Sequence, residues 1–281
     1  LYVEIMISVI LPTYNNEQTI FYSIKSILNQ SYKNFELIII NDCSKDKTKK
    51  VIKSFDDSRI VYLENDRNIG RAQSRNKAIK KAKGNFIAVM DGDDISVPER
   101  LDIQLKYLMN NPSIDLVASN IIFFTDNKVT GVSDVKMYTL KDFNFFLRPI
   151  GLPHVTWMVR KDFFVKFKYN PNISMTIDQD LLLRSFKTFN YYLLKEPLVF
   201  VNEPKKNKIK YKLNQLYVLF LARLKFMNKH KLFYHFPIIV FIFIISSIFY
   251  TFNLRTNKII KTLNHHYQNL LNEIKVKRVE S

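Results

Sequence analysis

A chain of 281 residues, 47% hydrophobic and 24% charged, holds enough apolar surface for one large globular domain, which excludes wholesale disorder. A single cysteine, Cys43, excludes an internal disulfide framework and a Cys-rich zinc module. The net charge of +18 suggests nucleic acid only until it is divided: residues 205–281 hold 15 of the 43 Lys+Arg and 2 of the 25 Asp+Glu, so residues 1–204 are nearly balanced and no nucleic-acid partner is expected.

In chain order, short apolar runs alternate with helical patterns. Residues 7–11 read as a strand buried on both faces, and Ile20, Ile24, Ile27 and Leu28 make a helical face after it. A second strand at 35–40 precedes a helix carrying Val51, Ile52 and Phe55. A third at 60–63 precedes one carrying Ala72, Ala78, Ile79 and Ala82. A fourth at 86–90 leads to Leu101, Leu105 and Leu108, a helix opened by Pro98, and a fifth strand is expected at 116–122. Residues 125–175 are less regular, with Phe143, Phe145, Phe146, Phe163, Phe164 and Phe167 as expected core. Residues 178–189 read as a helix and 191–201 as a closing strand. This alternation predicts an α/β fold, a mostly parallel nucleotide-binding sheet flanked by helices on both faces, with ligands beyond the carboxyl ends of the strands.

Those strand ends carry the polar motifs. Five glycines are too few and wrongly spaced for a G-x-G-x-x-G or Walker A loop, and the five histidines form no H-E-x-x-H. The first strand runs into Pro12-Thr13-Tyr14-Asn15. The second ends at Asp42, which suits either a hydrogen bond to a base or ribose or a cap on the following helix. Arg75, in the first turns of the helix after Asn68-Ile69-Gly70, is either a surface arginine or a diphosphate partner at a helix N-terminus. The fourth strand ends in Asp91-Gly92-Asp93-Asp94. Such carboxylate density suits a hard divalent cation, Mg²⁺ or Mn²⁺, whose shell is completed by water and phosphate.

PTYN, the Asp42 motif, NIGRAQSRN and DGDD followed by P-E-R, in this order, resemble a family 2 glycosyltransferase of the GT-A fold over about residues 6–200. The resemblance implies inverting transfer of a sugar from a nucleotide-diphosphate donor, in the first instance a UDP-sugar. It implies donor contacts from Pro12, Tyr14, Asp42, Arg75, Asp91 and His154, and a D-x-D formed by Asp91 and Asp93, with Asp93 the direct metal ligand. PHVTWMVRK, with His154 and Thr156, resembles the segment beneath the acceptor and diphosphate, although His154 also reads as a core histidine. TIDQDLLLR resembles the segment that carries the catalytic base. Counting back from Arg184 puts Asp178 on that position, with Asp180 as the second candidate because Ile177 stands where the pattern prefers Glu. Asn41-Asp42-Cys43-Ser44 departs from the usual Asp-Asp-Gly-Ser. The rival readings are a nucleotidyltransferase, which lacks its Gly-rich phosphate loop here, and a degenerate binding module, against which Asp93 and Asp178 stand.

After a basic linker from Pro204, residues 236–254 run without a charge, and at ~1.5 Å per residue a helix there matches a bilayer core of about 30 Å. The expectation is a catalytic domain over 1–204 and a membrane-associated helical tail over 205–281. Met6-Ile-Ser-Val-Ile-Leu-Pro has no basic n-region and no small-residue cleavage site, so the domain is expected at the cytoplasmic face of the membrane, its acceptor a lipid-linked or surface glycan. Positive charge on both flanks leaves a span and an interfacial helix both open.

Overall fold

The computed structural model describes residues 5–134, 151–173, 176–185, 188–203 and 264–276, with isolated positions at 217, 220, 221, 237 and 240. Phe143, Phe145, Phe146, the linker from Pro204 and all but two positions of the apolar run 236–254 lie outside the described residues.

The first half alternates as the sequence predicts: β1 (Ile7–Thr13), α1 (Ile20–Leu28), β2 (Phe35–Asn41), α2 (Thr48–Ile52), β3 (Ile60–Glu64), α3 (Arg71–Lys81) and β4 (Phe86–Val89). Short β5 (Ile95–Ser96), α4 (Arg100–Asn110), β6 (Leu116–Thr125) and β7 (Lys128–Val132) follow. A 3₁₀ turn (His154–Thr156) then leads into β8 (Met158–Arg160), α5 (Lys161–Lys166), α6 (Ile177–Ser185), β9 (Tyr191–Asn202) and α7 (Asn264–Val276). The strand order is β3-β2-β1-β4-β8-β6-β9-β5, with β7 beside β6.

The period-2 geometry of a strand divides these apolar runs between two faces. Ile10, Ile38 and Ile40 pack with Ala72 and Ala78 of α3, Phe163 and Phe164 of α5, and Leu181 and Leu182 of α6. Val9, Leu11, Leu37 and Ile39 pack with Ile20, Ile24 and Ile27 of α1 and Leu101, Leu105 and Leu108 of α4. The sheet is mixed rather than mostly parallel. The β3-β2-β1-β4 half is parallel, whereas β8 runs antiparallel to both β4 and β6, and β5 antiparallel to β9. The three-residue β8 leads directly into α5 and so needs no βα crossover of its own.

The chain also returns where a separate tail was expected. Leu271 of α7 is fully buried with Ile95, Val97, Ile122, Phe124, Val132 and Phe200, and Tyr267, Leu270 and Ile274 pack around it. Val129 N donates to Gln268 Oε1 at 2.7 Å, and Gln268 Nε2 donates to Asn127 O at 2.8 Å. Residues 264–276 therefore pack against β5, β6, β7 and β9. Among the described residues no helix is long and apolar enough to cross a membrane.

Candidate active site

In the parallel half the chain moves outward from β1 to β2 to β3 and then crosses back to β4 on the other side of β1. That reversal opens a crevice beyond the carboxyl ends of β1 and β4. The PTYN turn and the DGDD turn both lie there. Pro12 is buried within β1, paired with Ile40, where β1 has outrun β4. Its missing N–H thus removes no ladder bond on that side. Tyr14 at the tip is 43% exposed.

The loops are fixed by side chains acting in place of backbone partners. Asn16 Oδ1 accepts from Thr13 Oγ1 at 2.9 Å and from the Tyr14 N–H at 3.1 Å, and Asn15 N donates to Ser44 Oγ at 3.0 Å. Gly92 lies against these groups: a Cβ added there would meet Thr13 Oγ1 at 2.9 Å and Asn16 Oδ1 at 3.2 Å. Only glycine lets the DGDD turn approach the tip of β1 this closely.

Asp42 is 4% exposed and its carboxylate is heavily engaged. Oδ1 accepts from Asn65 Nδ2 and Ile69 N, both at 2.9 Å, and Oδ2 accepts from Gly70 N at 2.8 Å. Asp42 does not cap α2, the helix that follows it in sequence; its bonds go to the backbone N–H groups of Ile69 and Gly70, in the loop before α3. It holds the turn at Gly70, whose φ is +85°, and so aims the N-terminus of α3.

Arg75, one turn into α3, is 2% exposed and not a surface residue. Its Nη2 bonds Asp91 Oδ1, its guanidinium lies 5.8 Å from the Tyr169 ring centroid, and its Nε is buried without a partner. Burial opposes the Arg75 charge, but Asp91, Tyr169 and Asp178 outweigh it and hold the group charged. Burial likewise pushes Asp91 up, and Arg75, aided by Arg71, brings its carboxyl below the ordinary range.

The other two carboxylates differ. Asp94 is 5% exposed, accepts from Asn202 N at 3.0 Å, and is raised well above the usual range by burial and by Asp93 and Asp91. Asp93 is raised to about 6 by burial and by Asp91. Two like charges crowded at one turn hold a proton unless a cation is supplied. Among the described residues no group of three or more His, Cys, Asp or Glu is arranged to hold a metal alone. Asp93 and Asp91 instead fit the Mg²⁺ or Mn²⁺ pattern of one or two carboxylates with phosphate and water completing the shell.

His154 is both a satisfied histidine and part of this cluster. Its Nε2 lies 2.7 Å from Tyr169 Oη, its ring meets Trp157 edge-on at 4.7 Å, and burial, with Arg75, lowers it to about 3, so it is neutral. Thr156 turns inward to Ser119 and Pro153, which makes it structural. Tyr169 escaped the sequence reading. Its backbone is clamped by Asn76 of α3, N to Oδ1 at 3.0 Å and O to Nδ2 at 2.8 Å. These contacts join residues 93 positions apart, which no local pattern announces.

The structure separates the two candidate bases. Asp178 interacts electrostatically with Arg75 and Tyr169, accepts from Gln179 Nε2 at 3.1 Å, and is raised by burial. Asp180 faces the other way and pairs with Arg184 at 2.8 Å. Thr176, just before α6, is held at φ +54° with its hydroxyl buried and unpartnered, a strained backbone at the approach to Asp178.

The family model described as Glycosyl transferase family 2 matches residues 8–169. The uncharacterized glycosyltransferase MJ1057 of Methanocaldococcus jannaschii is 31% identical over 86% of this chain and 89% of its own. The β-1,3-glucosyltransferase WfgD of Escherichia coli, named for UDP-Glc and α-D-GlcNAc-diphosphoundecaprenol, is 39% identical over 46% of this chain and 50% of its own. The mannosyltransferase PcManGT of Pyrobaculum calidifontis, solved with GDP-Man and Mn²⁺, superposes with a TM-score of 0.61 at 15% identity, covering 96% of this chain and 86% of that one.

Proposed function

The chain belongs to glycosyl transferase family 2, and we propose that it moves a sugar with inversion from a UDP-sugar to a hydroxyl of a lipid-linked glycan, using a divalent cation at Asp93 and Asp91 and Asp178 as general base. The observation that carries this reading is the cluster at the carboxyl end of the sheet: one buried arginine, two carboxylates beside it, and a third raised carboxyl, Asp178, within electrostatic reach.

Inversion needs an acceptor hydroxyl to attack the anomeric carbon opposite the leaving diphosphate. A sugar hydroxyl is a weak nucleophile at neutral pH, so a carboxylate must take its proton as the bond forms. Burial raises the Asp178 carboxyl above its ordinary range, which makes its ionised form a stronger base. Arg75 and the N-terminus of α3 offer fixed positive charge to the departing diphosphate. Neutral His154 adds no charge and holds the Tyr169 hydroxyl, so the ring beside Arg75 stays oriented. A bound Mg²⁺ or Mn²⁺ supplies further positive charge for the leaving group.

The UDP-sugar and lipid-linked acceptor are carried from the relative named for both, and the cation from the structural neighbour that binds Mn²⁺. UDP release from UDP-glucose, with a lipid-diphosphate-linked GlcNAc as acceptor and Mn²⁺ present, tests the reading. Turnover should vanish in EDTA and in Asp93→Ala, with the fold of the variant retained by circular dichroism. Undiminished turnover in EDTA would sink the metal assignment.

A further inference from the structure

We propose that Asn76 and Arg184 are positioning residues that hold the two ends of one peptide group, Lys168–Tyr169, and so set the place of Asp178 relative to Arg75. This deepens the reading above and rests on Asp178 being the base. The carrying observation is a juxtaposition at that single peptide. Its N–H, from Tyr169, donates to Asn76 Oδ1 of α3 at 3.0 Å. Its carbonyl, from Lys168, accepts from Arg184 Nη2 of α6 at 2.7 Å. Asn76 Nδ2 closes a second bond, to Tyr169 O, at 2.8 Å. A trans peptide is planar, with its N–H and C=O pointing opposite ways, so the group acts as a stiff spacer between the two helices. The apolar side chains around it, Ala72 and Ala78 of α3 and Ile177, Leu181 and Leu182 of α6, attract without direction and do not by themselves fix a register.

Each helix carries its reacting group close to its end of the tie. Arg75 adjoins Asn76 in α3, and Asp178 shares α6 with Arg184. Asn is a weak helix former in the interior of α3, and its amide is turned across to another segment, not bonded along the helix. Tyr169 is 1% exposed, with its ring beside Arg75 and its hydroxyl on His154. The donor side is held by bonds of its own: Arg75 to Asp91, and Asp42 to the N–H groups of Ile69 and Gly70. Asp178 accepts from its own neighbour Gln179, so its place relative to Arg75 depends on where α6 sits. The tie needs Arg184 Nη2 and no charge at position 180, since the amide oxygen of Asp180→Asn would still accept from Arg184. A shift of α6 would draw the base away from the acceptor hydroxyl and leave the diphosphate side in place. Misplacing a reacting group by ~1 Å costs about 10²-fold in rate.

Asn76→Leu and Arg184→Met, each in the full chain, are compared with the wild type at saturating concentrations of the donor and acceptor that the wild type turns over, UDP-glucose and lipid-diphosphate-linked GlcNAc in the first instance. Affinity for UDP with Mn²⁺ is measured separately by calorimetry. Each variant should keep that affinity within about twofold and lose kcat by roughly 10–10²-fold. In an Asp178→Asn background either change should add little further loss, because a base that has been removed can no longer be misplaced. A merely structural role predicts lower unfolding stability with undiminished kcat, equal losses of kcat in both backgrounds, or loss of kcat and UDP affinity together. Any of these in a folded variant would overturn the proposal, and if one variant fails to fold the other decides. Asp178→Asn at full rate would remove the base assignment and this proposal with it. Inactive Asp178→Asn beside full-rate Asn76→Leu and Arg184→Met would overturn this proposal alone.

Discussion

Asp178 and Asp180 differ by two positions, and at 3.6 residues per turn that places them on opposite faces of α6. Helical geometry therefore sends one carboxylate toward Arg75 and Tyr169 and leaves the other to Arg184. Asp178→Asn should keep UDP affinity and lose turnover by about 10²–10⁴-fold. Asp180→Asn should keep most turnover and lose at most ~1 kcal/mol, the usual worth of an exposed pair. Inactive Asp180→Asn beside active Asp178→Asn would reverse the assignment. The pH dependence follows from the sign of the shift. Burial raises the Asp178 carboxyl, and a base acts only when ionised. The acid limb of kcat should lie above the ordinary carboxylate range, with turnover rising as pH rises through it. Gln179→Leu removes a donor that favours the charged form and should move that limb higher still. At this scale much of the site was legible in the sequence, because Asp42, Arg75, Asp91, Asp93 and Asp178 all follow strand ends or open helices. Tyr169 and Asn76 were not, since their contact depends on the packing of distant segments. Cys43 is intermediate: the missing family glycine was visible, but its φ of +61° was not. The substitution therefore retains a left-handed turn that glycine would adopt without strain.

Strand periodicity sorted the apolar residues of β1 and β2 onto two faces, so the parallel half could be read directly from the chain. The second half could not. The three residues of β8 carry too short a pattern to declare a direction, and α7 has no neighbour in sequence that announces where it docks. Only the folded chain shows that Leu271 fills a core lined by β5, β6, β7 and β9. Leu271→Ala should cost roughly 2–3 kcal/mol, within the range for truncating a buried leucine, measured by urea unfolding of the full chain in detergent. A loss below 0.5 kcal/mol would mean that α7 merely rests on the surface.

Across the whole molecule, charge and packing divide the chain differently. The basic excess begins after residue 204, yet residues 264–276 complete the hydrophobic packing of the domain. A chain ending at 204 would expose Ile122, Phe124, Val132 and Phe200, and it should aggregate or unfold at lower urea than the full chain. Replacing 205–263 with a flexible Gly/Ser linker, which keeps α7, should restore a soluble and cooperative domain. The central claim is that this domain inverts a sugar's anomeric centre at the Asp91, Asp93 and Asp178 cluster. The most direct measurement is the NMR-determined anomeric configuration of the glycan formed from α-linked UDP-glucose and a lipid-diphosphate-linked GlcNAc acceptor. A β-linked product formed by the wild type and lost in Asp178→Asn is the predicted result, whereas an α-linked product, or an undiminished rate in Asp178→Asn, would contradict it.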